Sequence, residues 1–219
     1  DRFVYLGANE RRVTVTGSLK FMLTGNVDAH PAQPVFTALK SSGRPIIIAA
    51  STREGEEEKV LEAFAAIWRS LPDVLLLLVP RHPQRFDAVA RLCATRKLDL
   101  QRRSEFSAGA GETRLRDDTQ VLLGDSMGEM PDYFGCADIA FVGGSLVNTG
   151  CQNVLEPAAL GIPVLTGPSQ YNFAAICREL EAAGALVTVQ DEAMLTEQCL
   201  ALLADPQRRT AMGEAGRKM

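Results

Sequence analysis

Short apolar runs, each closed by a polar cluster and followed by a helical pattern, constrain this chain more than any other feature. Ile46-Ile47-Ile48-Ala49-Ala50 is short, β-branched and bounded by Pro45 and Ser51, as a buried strand is. Val74 to Val79 (broken by Pro80), Gln120 to Leu123, Ile139 to Val142, Ile162 to Leu165 and Leu186 to Val189 read the same way, with a shorter edge strand at Asp99 to Arg103. Val60, Leu61, Phe64, Ile67 and Trp68 fall at helical spacing between the first two runs, and Phe86, Val89, Ala90 and Cys93 after the second. A short helix is expected at Met130 to Cys136, and longer ones around Phe173 to Ala183, Glu192 to Leu203 and Pro206 to Lys218. Strands alternating with helices make parallel βαβ units, so the expected fold class is α/β, a doubly wound parallel sheet. Upstream, Val13 to Thr16 alternates β-branched residues, Gly17 to Phe21 follows as a turn, and Met22 to Pro45 is loop-like before a short helix. Ser104 to Asp118 reads as an exposed loop.

The stretch from Phe141 to Pro168, FVGGSLVNTGCQNVLEPAALGIPVLTGP, sets the expected function. It is a strand–loop–helix–strand unit with its loop at the carboxyl end of the first strand, the edge where open α/β sheets bind ligands. Gly143 and Gly144 would let backbone N–H groups approach a ligand, and the helix start favours an anion. Glu156 at that start argues against a bare phosphate cradle, because a carboxylate suits paired hydroxyls such as those of a ribose. A nucleotide-linked ligand is expected.

Composition removes several function classes. With 46% hydrophobic and 23% charged residues the chain is ordinary for a globular protein, and a net charge of -4 gives no basic face for nucleic acid. No run reaches the roughly 18 apolar residues of a membrane span, and no signal-peptide pattern is visible. The chain opens on Asp1, as expected of a piece excised or processed from something longer. The five cysteines form no C-x-x-C pair and read as reduced thiols; with two histidines, a zinc site is not expected. No D-x-D triplet occurs, which favours chemistry without a metal, and no cofactor is expected.

Four strand ends deliver polar clusters, each with a plain reading beside the functional one. Ser51-Thr52-Arg53-Glu54, with Gly55 and Glu56, supplies capping residues and early acids for a helix, and simple helix capping is its plain reading. Pro80-Arg81-His82-Pro83 stiffens a turn around Arg81, whose fork would then face an anion; an isolated arginine is otherwise a solvated charge. In Gly124 to Met130, Gly128 and the helix start offer backbone donors and Met127 a surface for a flat base, although an ordinary capped loop fits equally. Asn153 to Glu156 is also what an Asn N-cap with acids in the first turn looks like.

Taken in order, GSLKF, AASTREGEEE, VPRHP, GDSMGEM and the 141–168 stretch resemble the transferases of 3-deoxy-D-manno-octulosonic acid (Kdo) over nearly the whole chain. The resemblance is to the family's carboxyl-terminal domain, at 45–219, preceded by a connecting segment at 1–44. It implies a Rossmann-like sheet, the carboxyl-terminal half of a glycosyltransferase type B fold. It further implies CMP-Kdo as donor, a lipid A precursor as acceptor, and an inverting reaction. Pro80 and Arg81 match one CMP-binding stretch, Met127, Gly128 and Glu129 a second, and Asn153, Val154, Leu155 and Glu156 a third. Lys20, in GSLKF, matches a lysine that stabilises charge in the transition state. Where the family often carries Gly-His before the Asn, this chain has Cys151-Gln152, so no histidine role carries over. The family's general base lies in the amino-terminal domain, so none is named within this chain, and the chain alone is expected to bind without catalysing. The resemblance places the whole enzyme at the cytoplasmic face of the inner membrane of Gram-negative bacteria, with membrane contact through the other domain. Two alternatives remain open: a type B transferase using a UDP-sugar, and a non-catalytic nucleotide-binding module.

Overall fold

The computed structural model describes residues 2–14, 34–106 and 115–219. The expected strand at Val13 to Thr16, the turn carrying Lys20 and most of the loop at 104–118 therefore lie wholly or largely outside the described residues. Seven parallel strands form one sheet: β1 (Ile46–Thr52), β2 (Leu75–Pro80), β3 (Leu100–Arg102), β4 (Val121–Leu123), β5 (Ile139–Val142), β6 (Val164–Thr166) and β7 (Leu186–Thr188). Their order is β3-β4-β2-β1-β5-β6-β7, so the chain winds one way from β1 and then crosses back to wind the other way from β5. The switch point falls between β1 and β5, where a crevice opens at the carboxyl ends of the strands.

The helices are α1 (Arg2–Tyr5), α2 (Pro34–Ser41), α3 (Glu57–Ser70), α4 (Phe86–Thr95), α5 (Met130–Phe134), α6 (Leu155–Ala159), α7 (Ala174–Ala182), α8 (Glu192–Ala204) and α9 (Pro206–Arg217). Alternating strand residues face opposite layers. Ile47, Ala49, Leu76, Leu78, Ile139 and Phe141 pack against α3, α4 and α8, through Val60, Phe64, Val89 and Leu195 among others. Ile46, Ile48, Ala50, Leu75, Leu77 and Val79 face α2 and α5, and Val142 and Val164 face α6 and α7. With both faces covered, the strands read as continuous apolar runs. Caps mark the last two helices: the Asp191 side chain accepts from Met194 N at 2.8 Å, and Asp205 accepts from Arg208 N at 2.9 Å just before Pro206.

Two expected boundaries differ. Pro80 ends β2 from inside, paired with Thr52 where the register of β1 shifts. At that irregularity Ser51 takes φ +57°, a left-handed conformation unusual for serine. The 51–56 cluster also does not cap α3: Ser51 and Thr52 are still strand, α3 begins at Glu57, and no side chain caps it.

Candidate functional site

A cavity of about 260 Å³ lies at the switch point. Its lining includes Ala50 and Ser51 from β1, Val79, Pro80 and Arg81 from β2, and Val142 from β5, with residues 126–130 on one side and Gln152, Asn153 and Glu156 on the other. The topology thus brings residues of all four expected clusters to one place, the first through Ser51 alone. A larger hollow of about 500 Å³ includes Arg44, Asp73 and Asp117 in its lining. Arg44 there donates to the carbonyls of Asp73 and Thr119, at 2.9 and 2.8 Å, which ties loops together at the opposite edge of the sheet.

Arg81 leaves β2 with its backbone N–H bonded to Thr52 O at 3.0 Å, which pins the ends of the two central strands together. Its Nε donates to Gln152 Oε1 at 3.3 Å. Gln152 is itself held, its Nε2 donating to Gly150 O at 3.3 Å and its backbone N to Gly143 O at 3.0 Å. Gln152 had no role in the sequence reading beyond marking a departure. Its position one residue before Asn153 was the available signal.

On the facing wall, Gly128 has φ +82°, and the Met127 side chain is 61% exposed at the cavity rim. Glu129 is a partnered carboxylate: Arg103 Nη2 donates to it at 2.7 Å, and the Ser126 hydroxyl donates to its other oxygen. Tyr133 OH lies 2.8 Å from the same Ser126 hydroxyl, and burial pushes the Tyr133 phenol up. The Tyr133 ring meets Phe36 of α2 edge-on, with centroids 5.1 Å apart, and the Arg103 guanidinium lies over Phe36 at 5.3 Å. This wall is therefore braced from α2 through α5.

Asn153 and Glu156 form a local pair at the start of α6. Asn153 Oδ1 accepts from Leu155 N at 3.1 Å, and Asn153 Nδ2 donates to Glu156 Oε1 at 2.8 Å. The cap expected of Asn153 is thus present, and it also orients a carboxylate that lines the cavity. Val154 is buried with Cys151, Val164 and Cys177, and Leu155 is half-buried; neither lines the cavity.

The glycine loop after β5 differs from the sequence expectation. The N–H groups of Gly144, Ser145 and Leu146 do not face the cavity's ligand space as free donors. They bond to the buried Glu56 carboxylate at 2.6, 2.9 and 2.9 Å, with Arg53 N as a fourth donor at 3.1 Å. Burial pushes the Glu56 carboxyl above its ordinary range, and the four N–H bonds pull it back. Gly143 is required for this approach: a Cβ there would stand 2.7 Å from Glu56 Oε2 and from Thr52 Cα. The chain supplies its own anion to the loop.

The family model for glycosyl transferases group 1 matches residues 39–219. A solved structure, the carboxyl-terminal CMP-Kdo binding domain of WaaA from Acinetobacter baumannii, is 34% identical with a TM-score of 0.76, covering 83% of this chain and 91% of that one. This chain belongs to the group 1 glycosyl transferases and, among them, to the Kdo transferases. The 3-deoxy-D-manno-octulosonic acid transferase of Bordetella pertussis is 43% identical over 99% of this chain and 49% of its own length. That of Haemophilus influenzae is 40% identical over 98% of this chain and 49% of its own length. The chain therefore spans about half the length of these relatives. Its doubly wound sheet is the carboxyl-terminal, Rossmann-like half of a glycosyltransferase type B fold. Among the described residues, no helix is long and apolar enough to cross a membrane.

Proposed function

We propose that this chain is the donor-binding half of an inverting, metal-independent Kdo transferase that takes Kdo from CMP-Kdo to a lipid A precursor. One observation carries the reading: Arg81, Met127 and Glu156, drawn from three separate strand ends, line a single cavity at the sheet's switch point. Their chemistry matches the parts of a nucleoside monophosphate. A guanidinium pairs with phosphate, an exposed thioether packs on a flat base, and a carboxylate accepts from two ribose hydroxyls. Pro80 and Gly128 shape the floor and rim, and Glu129 is held in place by Arg103 and Ser126.

In the whole enzyme, a base from the amino-terminal domain would remove a proton from an acceptor hydroxyl. That oxygen attacks the anomeric carbon of Kdo from the face opposite CMP, which leaves with the bonding electrons. Arg81 would offset the charge growing on the departing phosphate, and Lys20, outside the described residues, is assigned the same task. The isolated chain binds donor without turning it over. Lipid acceptor and the inner membrane are engaged by the other half, and nucleic acid is not a partner.

Calorimetric titration of the chain with CMP tests the reading, with UDP as the competing ligand. Saturable CMP binding that UDP displaces weakly is expected. Preference for UDP would move the chain to a UDP-sugar transferase, and the absence of binding to either would overturn the donor-site assignment.

A further inference from the structure

A second cationic feature, Arg53 with His82, lies at the same strand ends but outside the cavity lining. Arg53 follows the last residue of β1, and His82 follows Arg81 at the end of β2. The Arg53 Nη1 approaches His82 Nε2 at 2.5 Å. A guanidinium only donates, so the imidazole nitrogen is the acceptor and the contact brings no negative charge. The Arg53 Nε is buried and has no hydrogen-bond partner. Among the described residues, no carboxylate lies within ion-pairing distance of Arg53, Arg81 or His82.

The acids of the same loop are committed elsewhere. Glu54 and Glu57 both pair with Arg85, at 3.1 Å each, and Glu56 holds the glycine loop. Among the described residues of this chain of net charge -4, Arg53 and Arg81 therefore stand at the ends of adjacent strands with no carboxylate partner. Leaving a buried donor without an acceptor is costly. That cost is removed when the guanidinium turns to an anion, at the expense of its contact with the His82 ring nitrogen.

We propose that Arg53, oriented by His82, is a second anion subsite that receives the carboxylate of a sugar-acid donor while Arg81 holds the phosphate. The inference rests on the donor-site reading above. In a 2-keto sugar acid the anomeric carbon carries both the phosphate ester oxygen and the carboxylate, so the two anions are separated by one carbon and one oxygen. Arg53 and Arg81 stand at the ends of adjacent paired strands, linked through the bond from Arg81 N to Thr52 O. An aldose donor has only hydrogen where the carboxylate stands, and it would leave Arg53 unsatisfied. The subsite would thus select sugar acids over neutral sugars on the same nucleotide. Arg53 contacts the ligand; His82 is a positioning residue.

Two esters of CMP test this by calorimetry on the same 219-residue chain. The carboxymethyl ester reproduces the phosphate–oxygen–carbon–carboxylate connectivity, and the ethyl ester has the same reach without the charge. The wild type should bind the carboxymethyl ester about tenfold more tightly than the ethyl ester, as a charge-assisted bidentate pair allows. Arg53→Gln should remove that preference by weakening the carboxymethyl ester alone, Arg53→Lys should restore part of it, and His82→Ala should reduce it. Equal affinity for the two esters in the wild type would overturn the inference while leaving the CMP site intact. An equal loss for both esters in Arg53→Gln would assign Arg53 to the shape of the cavity instead. Failure of wild type to bind CMP itself would remove the donor-site reading, and this inference with it.

Discussion

Replacing Glu56 by glutamine probes the internal anion that holds the glycine loop. The carboxylate receives Ser145 N and Leu146 N on one oxygen and Gly144 N and Arg53 N on the other. Glutamine keeps the size and one acceptor, but it sets an NH₂ group against two N–H donors. Each hydrogen bond to a charged group contributes about 1.5–3 kcal/mol, so two lost bonds amount to about 3–6 kcal/mol. Part of this is recovered because the neutral amide avoids burying a charge, the same burial that pushes the Glu56 carboxyl up. A net loss of about 2–4 kcal/mol, or a fall in Tm of about 5–15 °C for a chain of this size, is the expected result. Thermal unfolding followed by circular dichroism measures it. Since Gln152 N bonds to Gly143 O at the root of the same loop, CMP affinity should fall as well. A Tm within a degree of wild type would refute the reasoning, because it would mean that four short bonds to one buried carboxylate do not hold the loop.

Glu156→Gln should weaken CMP about tenfold, since one charge-assisted acceptor for the ribose hydroxyls is lost while the Asn153 cap on Leu155 remains. Calorimetry checks the affinity, and unchanged binding would withdraw the ribose role. Arg81→Ala should weaken CMP strongly and cytidine hardly at all, with Arg81→Lys recovering only part of the loss, because lysine offers a point charge in place of a fork. Equal losses for CMP and cytidine would show that Arg81 supports the cavity or contacts the base. The thiols should be silent in the native state: all five cysteines are buried, and burial pushes Cys93 and Cys199 up to about 12. Titration with a disulfide reagent at neutral pH should count five thiols in concentrated guanidinium and none, on the same timescale, without it.

Much of the sheet was legible because its signal is local. A strand buried on both faces is an apolar run, and β1, β2, β4 and β5 each stand within a residue or two of the expected position. The shortest elements drifted most: the run at Ile162 to Leu165 became Val164–Thr166, since Pro163 cannot donate to the ladder and the pairing with β5 begins at Val164. That Arg81, Met127 and Glu156 would come to one place was also legible, because strand ends in an alternating α/β chain must share one edge. What could not be read was the use made of each polar group. Glu56 belongs to a cluster of acids, Glu54 and Glu56 to Glu58, in which nothing local distinguishes the one that turns inward from those that pair or face water.

That same distinction decides what the carboxyl edge can hold. Donors at a glycine loop read as an anion site only if they are unspent, and the bonds from Gly144, Ser145 and Leu146 to Glu56 spend them. On the proposed reading, the positive charge offered to a ligand is then carried by side chains, Arg81 and Arg53, and not by the loop backbone. Side-chain forks turn and backbone donors do not, so selectivity at this edge depends on what holds each guanidinium. Gln152 holds Arg81 through a carbonyl oxygen, and His82 holds Arg53 through a ring nitrogen. Both holders offer an acceptor atom and neither is a carboxylate. Each fixes direction without cancelling charge, as the proposed site for an anionic leaving group requires.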